Sequence, residues 1–327
     1  NAGVTIVEEK GVLSGSDIAK SAACDLHYAD ICQKAKKVHP STLGTDDKFE
    51  GKFNAKWQEK FGAEFNWKDL VNGRIAGHIV HNVGAYLQAA GIPEEQAIEA
   101  FLPKWQAAAD DGKLSKLAGG FYVVLVDEAD GANVWCVNGF WYDMKREYVE
   151  PADAPRANVM VVEFDPAVLT WEKFRDDVLG TTEPKDSPAT SIRGVFYANR
   201  EAATDAGLQK IDKGSNVCHA SASPYEALRE RLIWGAGKET IASADDFVYN
   251  YASDAFAGAA WLEAGISAEL LNALDSNPNI TNKVYLEAAG VSGDSPAYDV
   301  FECKDTDDVR DILVKWQAAF ASNEPFA

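Results

Sequence analysis

Val178-Leu179-Gly180-Thr181-Thr182-Glu183-Pro184-Lys185-Asp186-Ser187, then Thr190-Ser191-Ile192-Arg193-Gly194, then Asn216-Val217-Cys218-His219-Ala220-Ser221 are the three segments on which the reading of this chain turns. The first leaves a helix predicted over Thr170 to Leu179, with Thr170 as N-cap, Glu172 in the first turn and Gly180 as the stop. The run from Thr181 to Gly194 is loop chemistry, rich in Thr, Ser, Pro and Gly. Val217 to His219 reads as a short strand, and Ser223-Pro224 opens a helix that runs to Trp234 and places Glu226 and Glu230 one turn apart. A histidine at a strand end can face a pocket. A neutral imidazole there is a good nucleophile when a carboxylate or carbonyl fixes one ring nitrogen and leaves the other free. Taken alone, such a residue is more often a satisfied interior histidine.

Working outward, Phe121 to Asp127 and Asn133 to Asn138 flank Asp130-Gly131 and form a hairpin signal. A helix over Phe140 to Tyr148 stops before Pro151, and Asn158 to Phe164 is another strand. Val4 to Val7 is a short β-branched strand; Ser16 opens an Ala-rich helical stretch that ends near Pro40. Ser41 to Lys116 shows no convincing strand and reads as several short helices with Gly or Pro breaks. The remainder, from Ala244, is mainly helical, with a Pro/Asn loop at Ser276 to Thr281 and an acidic run at Glu302 to Asp311. Lys-Trp-Gln recurs at 56, 104 and 315 without a regular interval, so no repeat architecture follows.

The 327 residues carry 31 Lys+Arg against 51 Asp+Glu, a formal charge of −20 that argues against a nucleic-acid partner. A hydrophobic content of 46% and an aromatic content of 11% are those of a globular protein with a sizeable core. A chain of this length buries roughly 75% of its unfolded surface, enough for one large domain or two smaller ones without disulfides or metals. Its apolar runs fall far short of the ~18 residues of a membrane span, so no membrane partner is expected. Five cysteines, Cys24, Cys32, Cys136, Cys218 and Cys303, are a sparse, odd set, and the one sequon at Asn279 does not outweigh them. They fit a reducing compartment, whether the cytoplasm, an organelle or a cytoskeletal or ciliary assembly. The chain opens Asn-Ala-Gly-Val, without an initiator Met or a signal-like start, which leaves open a first element beginning before Asn1.

Neither G-x-x-x-x-G-K-[ST] nor G-x-G-x-x-G occurs, so a P-loop or a Rossmann pyrophosphate site is not supported. Cys24, His27, Cys32 and His39 lie near one another, yet no C-x-x-C accompanies them, and they read as half-buried helix residues rather than zinc ligands. His78 and His81, among Ile75, Ile79 and Val80, read as packing or surface residues.

Together, the three opening segments resemble the signature of nucleoside diphosphate kinases: Leu-Gly-x-Thr-x-Pro-x-x-Ser, a Thr-Ile-Arg-Gly turn and Asn-x-x-His-Gly-Ser. The surrounding order of elements from about Gly120 to Trp234 agrees. The resemblance implies an α/β (α+β) fold, a ferredoxin-like antiparallel sheet with packed helices, built from residues 1–40 and 117–240. Residues 41–116 would form a helical insert and 241–327 a helical C-terminal extension. It implies that His219 accepts the γ-phosphate of ATP or another nucleoside triphosphate and passes it to a diphosphate through a phosphohistidine. Arg193 and Thr182 would hold the phosphates, Asn216 would reach the sugar hydroxyl, and Glu230 would orient the imidazole through Ser221. Mg²⁺ would accompany the nucleotide. Because the whole-molecule field repels a polyphosphate, a local positive pocket is expected from Arg193, Lys185, Lys213 and Arg175.

The departures from the family pattern are specific. Its first strand ends in Lys-Pro-Asp, and no such motif appears near the start of this chain; Lys304-Asp305, after the strand-like Tyr298 to Glu302, is the nearest look-alike. Arg175 is displaced by one position, with Asp176 where the family has its cation, and one residue on a helix is a rotation of about 100°. Val195 to Lys213 exceeds the family's connection, and the added regions could block its hexamer. The alternative reading is therefore a kinase-derived structural protein that keeps the histidine loop inside a homo-oligomer or larger assembly; a third is a nucleotide sensor without turnover.

Overall fold

The computed structural model describes residues 3–43, 47–118, 120–129, 132–205, 208, 210–276 and 300–322. Strand β1 (Val4–Ser14) leads into three short helices, α1 (Gly15–Lys20), α2 (Ala23–His27) and α3 (Ala29–Lys36). Helices α4 (Asp47–Phe61) and α5 (Trp67–Val71) precede strand β2 (His78–Asn82), and α6 (Val83–Ala90), α7 (Ala97–Ala100) and α8 (Leu102–Asp110) follow it. Next come β3 (Leu114–Ala118), β4 (Phe121–Ala129), β5 (Ala132–Val137), α9 (Phe140–Val149) and β6 (Pro155–Phe164). Helix α10 (Trp171–Lys173) continues as a π-helix over Phe174–Leu179, and α11 (Ile192–Ala198), α12 (Arg200–Asp205) and α13 (Pro224–Gly235) succeed it. Helices α14 (Gly258–Glu263), α15 (Ala268–Ser276) and α16 (Thr306–Ser322) complete the described order. The protein is mixed α/β. Among the described residues, no helix is long and apolar enough to cross a membrane.

Two compact units divide the chain, one of Leu13–Ala157 and one of Asn1–Val12 with Asn158–Ala327. In the first, four strands form a mixed sheet in the order β2-β5-β4-β3. The expected hairpin is β4 with β5, antiparallel, and β2 joins it in parallel, His78 opposite Asn133 and Asn82 opposite Val137. The Asp130-Gly131 turn lies outside the described residues. Strand β2 falls in the stretch expected to be free of strands. Its pairing partner is about fifty residues downstream, and its alternation is too short to register as a period of two. Phe53, Trp57, Phe65, Trp67 and Trp135 fill one core between this sheet and α4 and α5, with Trp57 edge-on to Trp135 at 4.7 Å. Lys52 and Lys56 of α4 donate to the carbonyls of Leu117 and Leu114 on β3, which blunts that sheet edge.

The Ala-rich stretch that reads as one helix is three, because Ala22 sits at φ +51° and breaks the first from the second. Ser14, rather than Ser16, is the N-cap, in a reciprocal capping box with Asp17. His78 accepts the indole N–H of Trp135 on Nδ1 at 3.0 Å and packs edge-on to Phe61. Burial pulls its pKa below the ordinary value, and its ring contacts make it a packing residue.

In the second unit β1 and β6 form a two-stranded sheet. Phe164 stacks on Phe174 at 4.8 Å and, with Leu169 and Leu179, anchors the π-helix. The buried face of α13 shares its core with the C-terminal helices: Tyr225 and Leu228 meet Tyr251, Trp261, Leu271, Phe301, Leu313 and Trp316. Within it, Tyr225 donates to Asp275 at 2.7 Å and Arg229 pairs with the same carboxylate at 3.4 Å.

The boundaries expected at 40/41, 116/117 and 240/241 give way to this division. The hairpin and the 41–116 helices share one core, and α13 and the region after Ala244 share another. Of the strand expected at Tyr298 to Glu302, residues 298 and 299 lie outside the described set, and Phe301 to Cys303 form a turn. Most of the loop expected at Ser276 to Thr281 lies outside it too.

Candidate functional site

Thr170 caps α10 as expected, accepting the amide of Lys173. The helix then widens. The amide of Gly180 bonds to the carbonyl of Arg175 at 3.0 Å, an i to i+5 closure that accommodates one residue more than an α-helical turn. Arg175 and Asp176, neighbours on this widened turn, both line the same hollow. Gly180, at φ +99°, ends the helix where a Cβ would stand 2.6 Å from Ser191 Oγ and 2.7 Å from Ser187 Oγ, so the turn requires glycine.

Across the loop, Ser191 Oγ accepts the amide of Gly194 at 3.1 Å and donates to the carbonyl of Pro188 at 2.7 Å, which starts α11 and fixes Arg193 in its first turn. Arg193 is 8% exposed. Its Nη1 donates to the carbonyl of Gly180 and its Nη2 to that of Cys218, each at 2.8 Å. One planar guanidinium thus ties the end of the π-helix to the histidine segment.

Val217–His219 is not a strand. Val217 sits at φ +65°, a left-handed conformation that a β-branched residue adopts only under strong local constraint, and the segment is irregular. Asn216, buried, donates to the carbonyl of Thr182 at 3.3 Å. His219 is exposed, on the rim of the hollow. Two residues on, Ser221 Oγ donates to Glu230 Oε2 at 2.5 Å, and the amide of Ala222 donates to Glu226 Oε2 at 2.7 Å. Glu226 thus holds the loop alongside Glu230. Burial, then the adjacent Glu230 carboxylate, pushes Glu226 up to about 7. Burial also raises Glu230, against the opposing pull of Ser221, Arg229 and Arg175.

The hollow measures about 190 Å³ and brings together Arg175, Thr182, Arg193, Asn216 and His219, with Ser221 and Glu230 bonded to each other just beyond His219 in the chain. Asp176, noted in the sequence as standing at the cation's position, and Thr181, to which the sequence reading assigns no role, also line it. Lysine contributes nothing to that lining. Lys185 and Lys213, expected there, are exposed elsewhere, Lys10 on β1 pairs with Glu8 at 2.9 Å, and Lys304 does not line the hollow. The positive charge facing the hollow is that of two guanidiniums, offset by Asp176. Among the described residues no group of three or more His, Cys, Asp or Glu could hold a metal ion. A wider hollow of about 450 Å³ in the other unit includes His39 and His78, but the ring nitrogens of His78 already meet Trp135 and Asn133.

Three residues outside the signature complete the surroundings. Trp171 donates its indole N–H to the carbonyl of Ser221 at 2.9 Å, the amide of Cys303 donates to the carbonyl of Ala222 at 2.9 Å, and Asp305 Oδ1 accepts the amide of Trp171 at 3.0 Å. The loop after His219 is therefore bonded from α10, from α13 and from the turn before α16. Comparison of the chain with family models, with curated proteins and with solved structures returns no match.

Proposed function

We propose that this protein transfers a phosphoryl group from a nucleoside triphosphate to a nucleoside diphosphate by way of a phosphohistidine at His219. In the first half-reaction a ring nitrogen of His219 bonds to the γ-phosphorus as the bond to the β-phosphate oxygen breaks, and the diphosphate leaves. The second half-reaction reverses this with a new diphosphate. Such a transfer needs positioning and charge neutralisation more than acid–base work. The observation that carries the reading is the exposed imidazole of His219 at the edge of a hollow lined by Arg175 and Arg193, with Thr182 and Asn216 beside it. Glu230, through Ser221, is the natural support for the loop. At about 190 Å³ the hollow suits a phosphate chain better than a whole nucleotide, since ligand pockets commonly run from ~300 Å³. Mg²⁺ belongs to the substrate in this reading, shielding a polyphosphate from a chain of charge −20. The ferredoxin-like core that the resemblance implies would need a four-stranded antiparallel sheet, whereas the described residues of this unit pair only β1 with β6, so the proposal rests on the site and not on that fold.

Incubation with ATP and Mg²⁺ should leave one acid-labile, base-stable phosphate on the wild type and none on His219→Ala. Absence of label on intact wild type would favour the second reading, a structural member of a larger assembly. Two observations support that reading: two of Arg193's N–H groups are engaged by backbone carbonyls, and no lysine lines the hollow.

A further inference from the structure

The turn before α16 reaches the candidate site in a way that the signature does not foreshadow. Val300 and Phe301, 4% and 1% exposed, seat it in the C-terminal core. Cys303, at φ +59°, turns the chain so that its amide meets Ala222, and Asp305 accepts the amide of Trp171. Core, loop and helix thus fix the residue between them. That residue, Glu302, has its Oε1 3.7 Å from Nη2 of Arg175. At that distance the pair is an ion pair without a hydrogen bond, and both side chains keep contact with solvent, 55% and 28% exposed. The guanidinium that lines the hollow also acts on the carboxylates of Glu226 and Glu230, and at its exposed end it lies within reach of both the Glu302 carboxylate and whatever anion enters.

We infer that Glu302 is a positioning residue for the phosphate site, which holds Arg175 while the hollow is empty and yields it to an entering phosphate chain, so that it sets the affinity for polyphosphate and speeds its release. The inference rests on the phosphoryl-transfer reading for its ligand class. The contact involves one rigidly seated acid and one arginine on a widened helical turn. Its loss on phosphate entry is a small exchange of partners, without any movement of the turn itself. Glu302 faces solvent, so its neutral isostere is compatible with the fold.

The test is a double-mutant cycle on the full chain, with tripolyphosphate and ADP as probes in titration calorimetry. Glu302→Gln should bind both about twofold to fivefold more tightly than wild type at low ionic strength, the range of a partly exposed ion pair, and the gain should shrink at high salt. In an Arg175→Gln background the same substitution should change nothing. A role confined to stability would move neither the salt dependence nor the cycle. Equal affinities for wild type and Glu302→Gln, or an equal gain without Arg175, overturn the inference while leaving the transfer reading intact if His219 still takes label. Failure of wild type to bind either probe overturns both.

Discussion

Glu226 and Glu230, one turn apart on α13, hold consecutive residues of the histidine loop, the first through the amide of Ala222 at 2.7 Å and the second through the hydroxyl of Ser221 at 2.5 Å. Two carboxylates so close and so shielded resist being ionised together.

The first expected outcome concerns pH. Glu226 rises from an ordinary 4.5 to about 7 in the folded protein, so between those values the native state binds more protons than the unfolded chain. The contribution of this group to stability is therefore greatest below pH 4.5 and falls as pH rises to about 7. Asp254 runs the other way: burial works against its charge, but Arg231 and the amides of Ala257 and Gly258 hold it down to about 2. Its contribution is lost below pH 4, outside that window. Urea midpoints at pH 5 and pH 8 should differ less for Glu226→Gln than for wild type. An unchanged difference would show that Glu226 titrates normally.

Arg193 should matter to the fold as much as to any substrate. Its guanidinium spans the carbonyls of Gly180 and Cys218, and removing it leaves two polar groups without their donor. Arg193→Ala should cost about 2–5 kcal/mol in urea unfolding. Arg193→Lys should recover little, since one ammonium on a flexible stem does not reproduce the planar fork. At a concentration where the variant remains folded, phosphoryl transfer should fall more than tenfold if the arginine also neutralises transferred charge, which corresponds to ~1.4 kcal/mol or more. Full stability in Arg193→Ala would remove the staple.

Deleting Asp176 tests the π-helix directly. The closure from Gly180 to Arg175 spans five residues, and removal of one restores the four-residue spacing of an ordinary helix. Phe174 and Leu179 are buried in one cluster, and the shortened turn should keep them so. The deletion variant should stay folded by circular dichroism and keep tripolyphosphate affinity within about threefold, whereas Arg175→Ala should weaken it further. A deletion variant that folds but binds no better than Arg175→Ala would mean that the extra residue is what aims the guanidinium.

Sequence patterns reveal local features of this chain well and distant ones poorly. Thr170 and Ser223 cap the helices they open in the sequence reading, because a hydroxyl before a helix satisfies amides within three residues of itself, whereas the helix that Ser191 caps lies where the sequence reads as loop. The meeting of Arg193, Asn216, Thr182 and His219 is legible through three separated segments read together, whereas Arg175 stands outside them and out of step with the pattern. Val217 was misread as strand because its side chain favours strands, while the left-handed backbone it adopts is imposed by Asn216 and Arg193 on either side. Strand β2 depends on a partner about fifty residues away, and the turn at Phe301 to Cys303 on contacts about eighty residues back. In the sequence Glu302 stands only at the junction of a strand-like stretch and an acidic run. The bond of Cys303 to Ala222 and the approach of Glu302 to Arg175 follow from packing, which composition does not encode.

Two tryptophans separate the roles of the two cores. Trp316, fully buried on α16, lies 5.0 Å from the ring of Phe301, which in turn packs on Tyr225 at 5.1 Å. Trp135, fully buried on β5, packs on Trp57 and Phe53 in the unit of Leu13–Ala157. Each replaced by Ala should cost about 3–5 kcal/mol in its own unit. The consequences for His219 should differ. Loosening Phe301 frees the turn that carries Cys303, so Trp316→Ala should lower phosphohistidine formation even at temperatures where far-ultraviolet dichroism shows a folded protein. Trp135→Ala should lower the melting temperature and leave labelling per folded molecule unchanged. Equal loss of label in both variants would show that the site depends on the whole chain rather than on the core beneath α13.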